Sequence, residues 1–376
     1  AAAAAVAAAV AAPRPAPLQR GASRLPCIFR RGEAHPRRVA RRIPGDALER
    51  RLHELESTFR GHPSGVPVAD FVHVTKHLCG LPSFFNSLLC RRVAELYDPV
   101  QAEMPNVALR VRFEPFKAYW RDEVEPFDVT ERFFRLVKRP EHDFIHKDDF
   151  VPFLVELLRF HPGLDFLETH EEFQRKYAMT VIARIFYAVN VSRTGRITLR
   201  ELRRSDLVRE FIHVDEEQDI NRVTSYFSYE HFYVLFCRFF ELDADNDSRL
   251  TREDLLKYGD HSLSEPLVRR VFAVGERAFE DGRQGGFEEA GMQYQDFVYF
   301  MLSEEDKTTP MALQYWFRCL DLSGDGTLSP EELQYFYRTQ KSRVTALGHE
   351  SVKFEDLACQ MMDMISPADP AALTLR

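Results

Sequence analysis

Apolar residues recur at three- and four-residue spacing through Ala47–Phe59, Phe84–Tyr97, Val129–Val137, Asp148–Phe160, Glu171–Val189, Phe232–Leu242, Leu267–Phe279, Met311–Leu320 and Glu331–Arg338. That is the period of a helix with one buried face. Polar stretches of loop length separate the runs, and no segment alternates Val, Ile and Thr long enough to build a sheet. The pattern predicts an all-α chain. A second pattern lies between the helices, where a loop ends on an apolar residue, then a polar one, then a helix start. The apolar positions are Val66, Val111, Ile145, Ile197, Leu250, Met292, Leu328 and Val352, spaced irregularly from 24 to 53 residues apart.

The run Asp321–Glu332 gives that pattern chemical meaning. A hard cation such as calcium takes roughly six to eight oxygens, and a twelve-residue loop supplies them from its first, third, fifth, seventh, ninth and twelfth positions. Here those positions are Asp321, Ser323, Asp325, Thr327 through its carbonyl, Ser329 through water, and Glu332. Gly326 stands at the sixth position, where the chain turns sharply. Ser329, Pro330 and Glu332 also read as N-cap, N1 and N3 of the following helix.

A second loop, Asp243–Asp254, places Asp243, Asp245 and Asp247 at the first, third and fifth positions, the Arg249 carbonyl at the seventh, Thr251 at the ninth and Asp254 at the twelfth. Ser248 replaces the glycine, which strains a residue required to take positive φ. Asp254 is shorter than glutamate, so this loop is expected to hold calcium more weakly and to be open to Mg2+. The run Asn190–Glu201 has the same outline, with Gly195 and Ile197 in place, but no acid before Glu201. It is expected to stand without metal, as are the loops at Ile145, Met292 and Val352. The eighth loop position of such a hand is apolar because it bridges to a partner hand. The fold expected is therefore an elongated array of paired EF-hand-like helix–loop–helix units, most of them without metal ligands.

Competing chemistry finds little support. Asp243-Ala-Asp resembles a phosphatase nucleophile motif, but an aromatic helix rather than a strand precedes it. His142 and His146 have no third ligand nearby and read as packed or solvated. Phosphate-binding glycine loops, nucleophile elbows and zinc-protease motifs are absent. No catalytic residue is nominated and the chain is not expected to be an enzyme.

Charge divides the chain. The formal net charge is −8, yet residues 1–45 hold nine arginines against Glu33, leaving the other 331 residues at −16. An acidic body excludes nucleic acid as the main partner and suits divalent cations. No apolar run is long enough to span a membrane. The six cysteines lack metal or disulfide spacing and read as free thiols of a reducing compartment. The expected organisation is a disordered basic tail at 1–45, a degenerate helical domain at 46–160, and a domain at 161–376 that carries both metal loops. A cytoplasmic location is expected, with nuclear or cytoskeletal association open.

Longer stretches carry a family likeness. They are His161–Leu167, Ala183–Asn190, Ile197–Arg203, Glu217–Asn221, Tyr226–Cys237, Phe240–Asp245, Tyr294–Phe300, Ser303–Lys307 and Tyr315–Asp321. In this order they resemble the B'' regulatory subunits of protein phosphatase 2A, over roughly residues 148–364 and more faintly over 47–120. The resemblance implies a heterotrimer in which the chain binds a helical-repeat scaffold subunit and a catalytic subunit, and steers phosphoprotein substrates, with microtubule-associated proteins among the candidates. Ser323 departs from the family, which has an acid there. On residues alone, a free calcium sensor or cytoskeletal adaptor acting without the phosphatase stays open.

Overall fold

The computed structural model describes residue 53 and residues 56–376, apart from 280–286, 288–290, 347, 368, 370–371 and 376. The basic segment 1–45 and most of the Ala47–Phe59 helix lie outside the described residues. The rest is helical, and the helices fall where the spacing placed them. Val129–Val137 and Glu171–Val189 match to the residue. Others shift by a few positions, to Asn86–Tyr97, Val151–Phe160, Tyr229–Leu242 and Pro310–Leu320, while the helix expected over Glu331–Arg338 runs on to Ala346, as Pro330–Ala346. Local chemistry sets the starts: Asp128, Ser228 and Thr309 accept from the backbone N–H three residues on, and Pro310 takes the first helical position.

The helix expected over Leu267–Phe279 runs instead from Glu265 to Val274. Gly275 ends it, with φ −55 and ψ 148. A Cβ at Gly275 would lie 2.2 Å from the Val271 carbonyl oxygen, so only glycine makes this exit. Helices Leu207–Glu216, Tyr294–Glu305 and Phe354–Ile365 were not singled out by the spacing.

The apolar loop residues pair as successive hands. Val66 lies opposite Val111, Ile145 bridges Ile197, and Leu250 lies opposite Met292. All six are buried. The seventh, Leu328, breaks the sequence: it bridges Leu373 rather than Val352, which is 59% exposed. In five successive hands the N–H of the residue after the bridge donates to the carboxylate three residues further on: His146 to Asp149, Thr198 to Glu201, Thr251 to Asp254, Gln293 to Asp296, and Ser329 to Glu332. Thr198, Thr251 and Ser329 return the bond through their hydroxyls. One short device therefore both ends the loop and nucleates the helix.

Phenylalanine joins the pairs. Phe85, Phe133, Phe153, Phe211 and Phe227 form a buried cluster with ring centroids 4.9–5.6 Å apart, drawn from five separate segments. Such contacts add about 0.5–1.5 kcal/mol per pair beyond area burial. Polar ties reinforce it. Buried His161 places Nε2 3.1 Å from the Val214 carbonyl and 3.0 Å from that of Glu217, while its Nδ1 accepts from Gly163 N–H. Arg184 donates to the carbonyls of Thr224 and Tyr226, and Tyr177 to that of Phe227.

Candidate metal centres

Three loops share one backbone frame. The N–H of the sixth residue donates to the side chain of the first: Gly195 to Asn190 at 2.9 Å, Ser248 to Asp243 at 3.0 Å, Gly326 to Asp321 at 2.9 Å. That residue has positive φ each time, at 66, 66 and 83. In the Asp243 and Asp321 loops the seventh N–H also donates to the fifth carboxylate, Arg249 to Asp247 and Thr327 to Asp325, both at 2.8 Å. These bonds fold each chain segment into the same loop outline.

The centres differ. In the Asp243 loop one oxygen each from Asp243, Asp245 and Asp247 lies within 4.8 Å of the others. Asp243 is 1% exposed, and its Oδ1 is buried with no hydrogen-bond partner. A buried anionic oxygen left unpaired is costly, and a cation removes the cost. Burial pushes the Asp243 carboxyl pKa above its ordinary value, with the neighbouring Asp245 carboxyl and the Asp247 charge adding to it and the Ser248 and Asp247 amides opposing. The donor set is all oxygen, the set for a hard divalent cation, and it fits. Asp254, at the twelfth position, is turned outward: Oδ1 pairs with Lys257 Nζ at 2.9 Å and Oδ2 caps Thr251.

In the Asp321 loop the twelfth residue reaches inward. Glu332 Oε1 accepts from the N–H groups of Leu322 and Ser323 at 2.8 and 2.9 Å, while Oε2 accepts from Ser329. Burial works against the Glu332 carboxylate, but the hydrogen bonds from Ser329, Ser323 and Leu322 prevail and hold its pKa low. The Thr327 hydroxyl and amide do the same for Asp325. Asp321 and Glu332 are buried, and Ser323 Oγ lies 3.2 Å from Asp321 Oδ1. Among the described residues the carboxylates of this loop are not gathered within 4.8 Å of one another as those of the Asp243 loop are.

The Asn190 loop fills its own centre. Asn190 Nδ2 lies 3.1 Å from Ser192 Oγ, 3.0 Å from the Arg196 carbonyl and 3.1 Å from Glu201 Oε1. Those are the third, seventh and twelfth positions, so an amide N–H2 stands where a cation would. Arg193 points away into the neighbouring pair. Its guanidinium lies over the rings of Tyr187 and Tyr299, with Nε 2.8 Å from Glu276 Oε1, an ion pair not aligned as a hydrogen bond.

Two residues near the metal loops escaped sequence reasoning. Lys176 is buried with its ammonium 5.4 Å from the Phe240 ring centroid and 4.9 Å from that of Tyr294, behind the Asp243 loop. Burial lowers its pKa and the Asp243 charge opposes that. Arg270 caps the helix entering the Asp321 loop by donating to the carbonyls of Arg318, Cys319 and Asp321. No local spacing announces either contact. His142 stacks on Phe144 and His146 caps Asp148, as packed histidines do.

Comparison with known proteins agrees with this geometry. Residues 128–217 match a family model described as an EF-hand domain, and residues 232–338 one described as an EF-hand domain pair. A probable B''delta regulatory chain of serine/threonine protein phosphatase 2A from Arabidopsis thaliana is 42% identical over 333 residues, 88% of this chain and 59% of that protein. The B'' beta regulatory chain of the same phosphatase from Homo sapiens is 40% identical over 326 residues, 86% of this chain and 54% of that one. The chain thus spans little more than half the length of these relatives. A chain of a solved PP2A PR70 holoenzyme, designated diCa, is 44% identical with a TM-score of 0.60, covering 66% of this chain and 90% of that one.

Proposed function

This chain belongs to the B'' family of protein phosphatase 2A regulatory subunits, and from that premise we propose that it is a non-catalytic, calcium-binding subunit that docks the scaffold and catalytic subunits and directs substrate choice or location. The observation that carries the calcium reading is the pair of all-oxygen loops, one with an orphaned buried Asp243 oxygen and one spanned by Glu332. Asp243, Asp245, Asp247, the Arg249 carbonyl and Thr251 would hold one ion, while Asp254, the twelfth ligand expected from the sequence, is engaged by Lys257 and Thr251. Asp321, Ser323, Asp325, the Thr327 carbonyl, Ser329 and Glu332 would hold the other. The Asp243 loop is the weaker and the more open to Mg2+.

Bound calcium supplies positive charge at the loop centre and nothing redox or nucleophilic. The chain's own residues do the rest. Carboxylates drawn toward one point fix the angle between entering and leaving helices. For the Asp243 loop these are Tyr229–Leu242 and the short turn Arg252–Leu255; for the Asp321 loop, Pro310–Leu320 and Pro330–Ala346. Arg270, on the helix Glu265–Val274, ties that helix to the end of Pro310–Leu320 where the Asp321 loop begins. Phosphoprotein substrates, microtubule-associated proteins among them, and a cytoplasmic setting complete the reading. Among the described residues no helix is long and apolar enough to cross a membrane.

The test is a pull-down of the full chain with purified scaffold and catalytic subunits, with calcium and with chelator. Stronger capture in calcium supports the whole reading. Capture indifferent to calcium keeps the regulatory role and removes the switch. No capture in either buffer overturns the proposal.

A further inference from the structure

Three of the bridges join two hands, but the fourth does not. Leu328, the apolar loop residue of the Asp321 hand, exchanges both backbone hydrogen bonds with Leu373. Its N–H donates to the Leu373 carbonyl at 2.8 Å, and the Leu373 N–H donates back at 3.0 Å. Both side chains are buried, at 4% and 6%, and join the main core. The residue that sequence order would supply, Val352, is held elsewhere, its carbonyl taken by the Tyr337 hydroxyl. The helix Phe354–Ile365 follows Val352 as the leaving helix of an eighth hand would, yet that hand contributes no bridge.

We propose that the pairing edge of the Asp321 hand is a docking site for an extended segment with an apolar anchor, occupied in this chain by Leu373, and that its occupancy and calcium binding in the Asp321 loop strengthen each other. The reason is positional. Leu328 lies between Thr327, whose carbonyl is the seventh ligand, and Ser329, the ninth. Pinning the Leu328 backbone with two hydrogen bonds fixes both neighbours before the cation arrives, which lowers the ordering cost of binding. Coupling between linked sites is reciprocal, so a filled loop must also tighten the segment. In the paired hands the same duty falls to a partner loop from the same pair. Here the single bridging residue Leu373 performs it, the smallest form of β-strand addition.

This coupling rests on the calcium reading of the Asp321 loop, whereas the docking edge itself does not, and the experiment separates them. Calcium titration calorimetry is run on the full chain, on Leu373→Asp, which charges the buried anchor, and on Leu373→Pro, which removes the donated N–H. A Glu332→Gln chain identifies the Asp321 component of the signal. The expected result is a loss of about fivefold or more at the Asp321 loop, the low end of couplings between linked sites, with the Asp243 loop unchanged. A synthetic peptide of residues 366–376 added in trans should restore it. In the unaltered chain, amide hydrogen exchange at Leu328 and Leu373 should slow when calcium is added, a readout independent of any variant's folding. Equal calcium affinity with and without the anchor, together with exchange indifferent to calcium, overturns the proposal. If the unaltered chain takes no calcium at this loop, the metal reading and the coupling fall. The docking edge then stands only if Leu373→Asp accelerates exchange at Leu328, and falls too if it does not.

Discussion

The Asn190 and Asp321 loops are the same frame closed in opposite ways. Each has the sixth N–H on the first side chain, a glycine at positive φ in the sixth position, and a glutamate whose second oxygen caps the next helix. In one, the first residue offers an amide nitrogen to the third, seventh and twelfth positions. In the other, it offers a carboxylate, and the twelfth residue is held by the backbone N–H groups of Leu322 and Ser323 rather than by the first side chain. The two loops therefore share one frame of backbone hydrogen bonds and capping. The centre is decided by whether the first residue brings a donor or an acceptor. The Asp243 loop sits between them, richer in carboxylates than the Asp321 loop but without a twelfth residue that reaches inward.

The largest effect expected is at Glu332. It is buried and makes four hydrogen-bond contacts across its loop. Glu332→Gln keeps the size and removes one anionic oxygen. Calcium affinity of the Asp321 loop should fall at least about a hundredfold, past the roughly 10–100-fold that outer-shell partners contribute. Calorimetric titration reads this directly, and a twofold change would mean that the loop is not a calcium site.

Asn190→Asp probes the opposite closure. The change replaces the donor at the loop centre with an oxygen facing Ser192, the Arg196 carbonyl and Glu201. Stability without metal should drop by about 1–3 kcal/mol, the cost of leaving buried polar groups unsatisfied. Calcium at about 10⁻³ M, the range of weak hands, should return part of it. Thermal unfolding with and without calcium measures both. Unchanged unfolding in the absence of metal would show that the Asn190 amide does not close the loop.

Asp254→Glu should move the intermediate case toward the Asp321 type. The extra methylene lets a carboxylate reach the loop centre while still capping Thr251, and it releases Lys257. Calcium affinity should rise about tenfold, and selectivity over magnesium with it, since ligand number separates the two ions. Competition titration in magnesium decides it. No gain would place the weakness of this loop elsewhere, with Lys176 and its buried charge the first residue to change.

Much of this was legible in sequence because the signals are local. Helical spacing, the capping residues and the apolar eighth position each fall within a dozen residues, and six of the eight apolar positions pair as read. The misses are long-range. Val352 has the right spacing, but Tyr337 holds it and Leu373 takes its place. The helix past Val274 looked continuous until Gly275 met the Val271 carbonyl. Lys176 and Arg270 act on loops more than forty residues away, through contacts that no spacing encodes. The segments that carried the family likeness also acquire a physical reason. A Cβ at Gly163 would lie 2.9 Å from the Gln218 carbonyl, which couples His161–Leu167 to Glu217–Asn221. Arg184 and Tyr177 bind the backbone of Thr224–Phe227, where Tyr226–Cys237 begins.

The smallest change tests a strained position in the Asp243 frame. Ser248 sits at φ 66, where its counterparts in the other two loops are Gly195 and Gly326. A non-glycine residue there pays for contact between its Cβ and the backbone, roughly 1–2 kcal/mol for an alanine-like side chain. Glycine is freer in the unfolded chain, and that returns some of the gain. Ser248→Gly should therefore stabilise the folded chain by only about 0.5–1 kcal/mol, seen as a modest rise in the urea midpoint at unchanged slope. Because the Ser248 N–H keeps its bond to Asp243, calcium affinity should rise slightly and not fall. A clear loss of stability would mean that the serine side chain makes a contact worth more than the strain it carries.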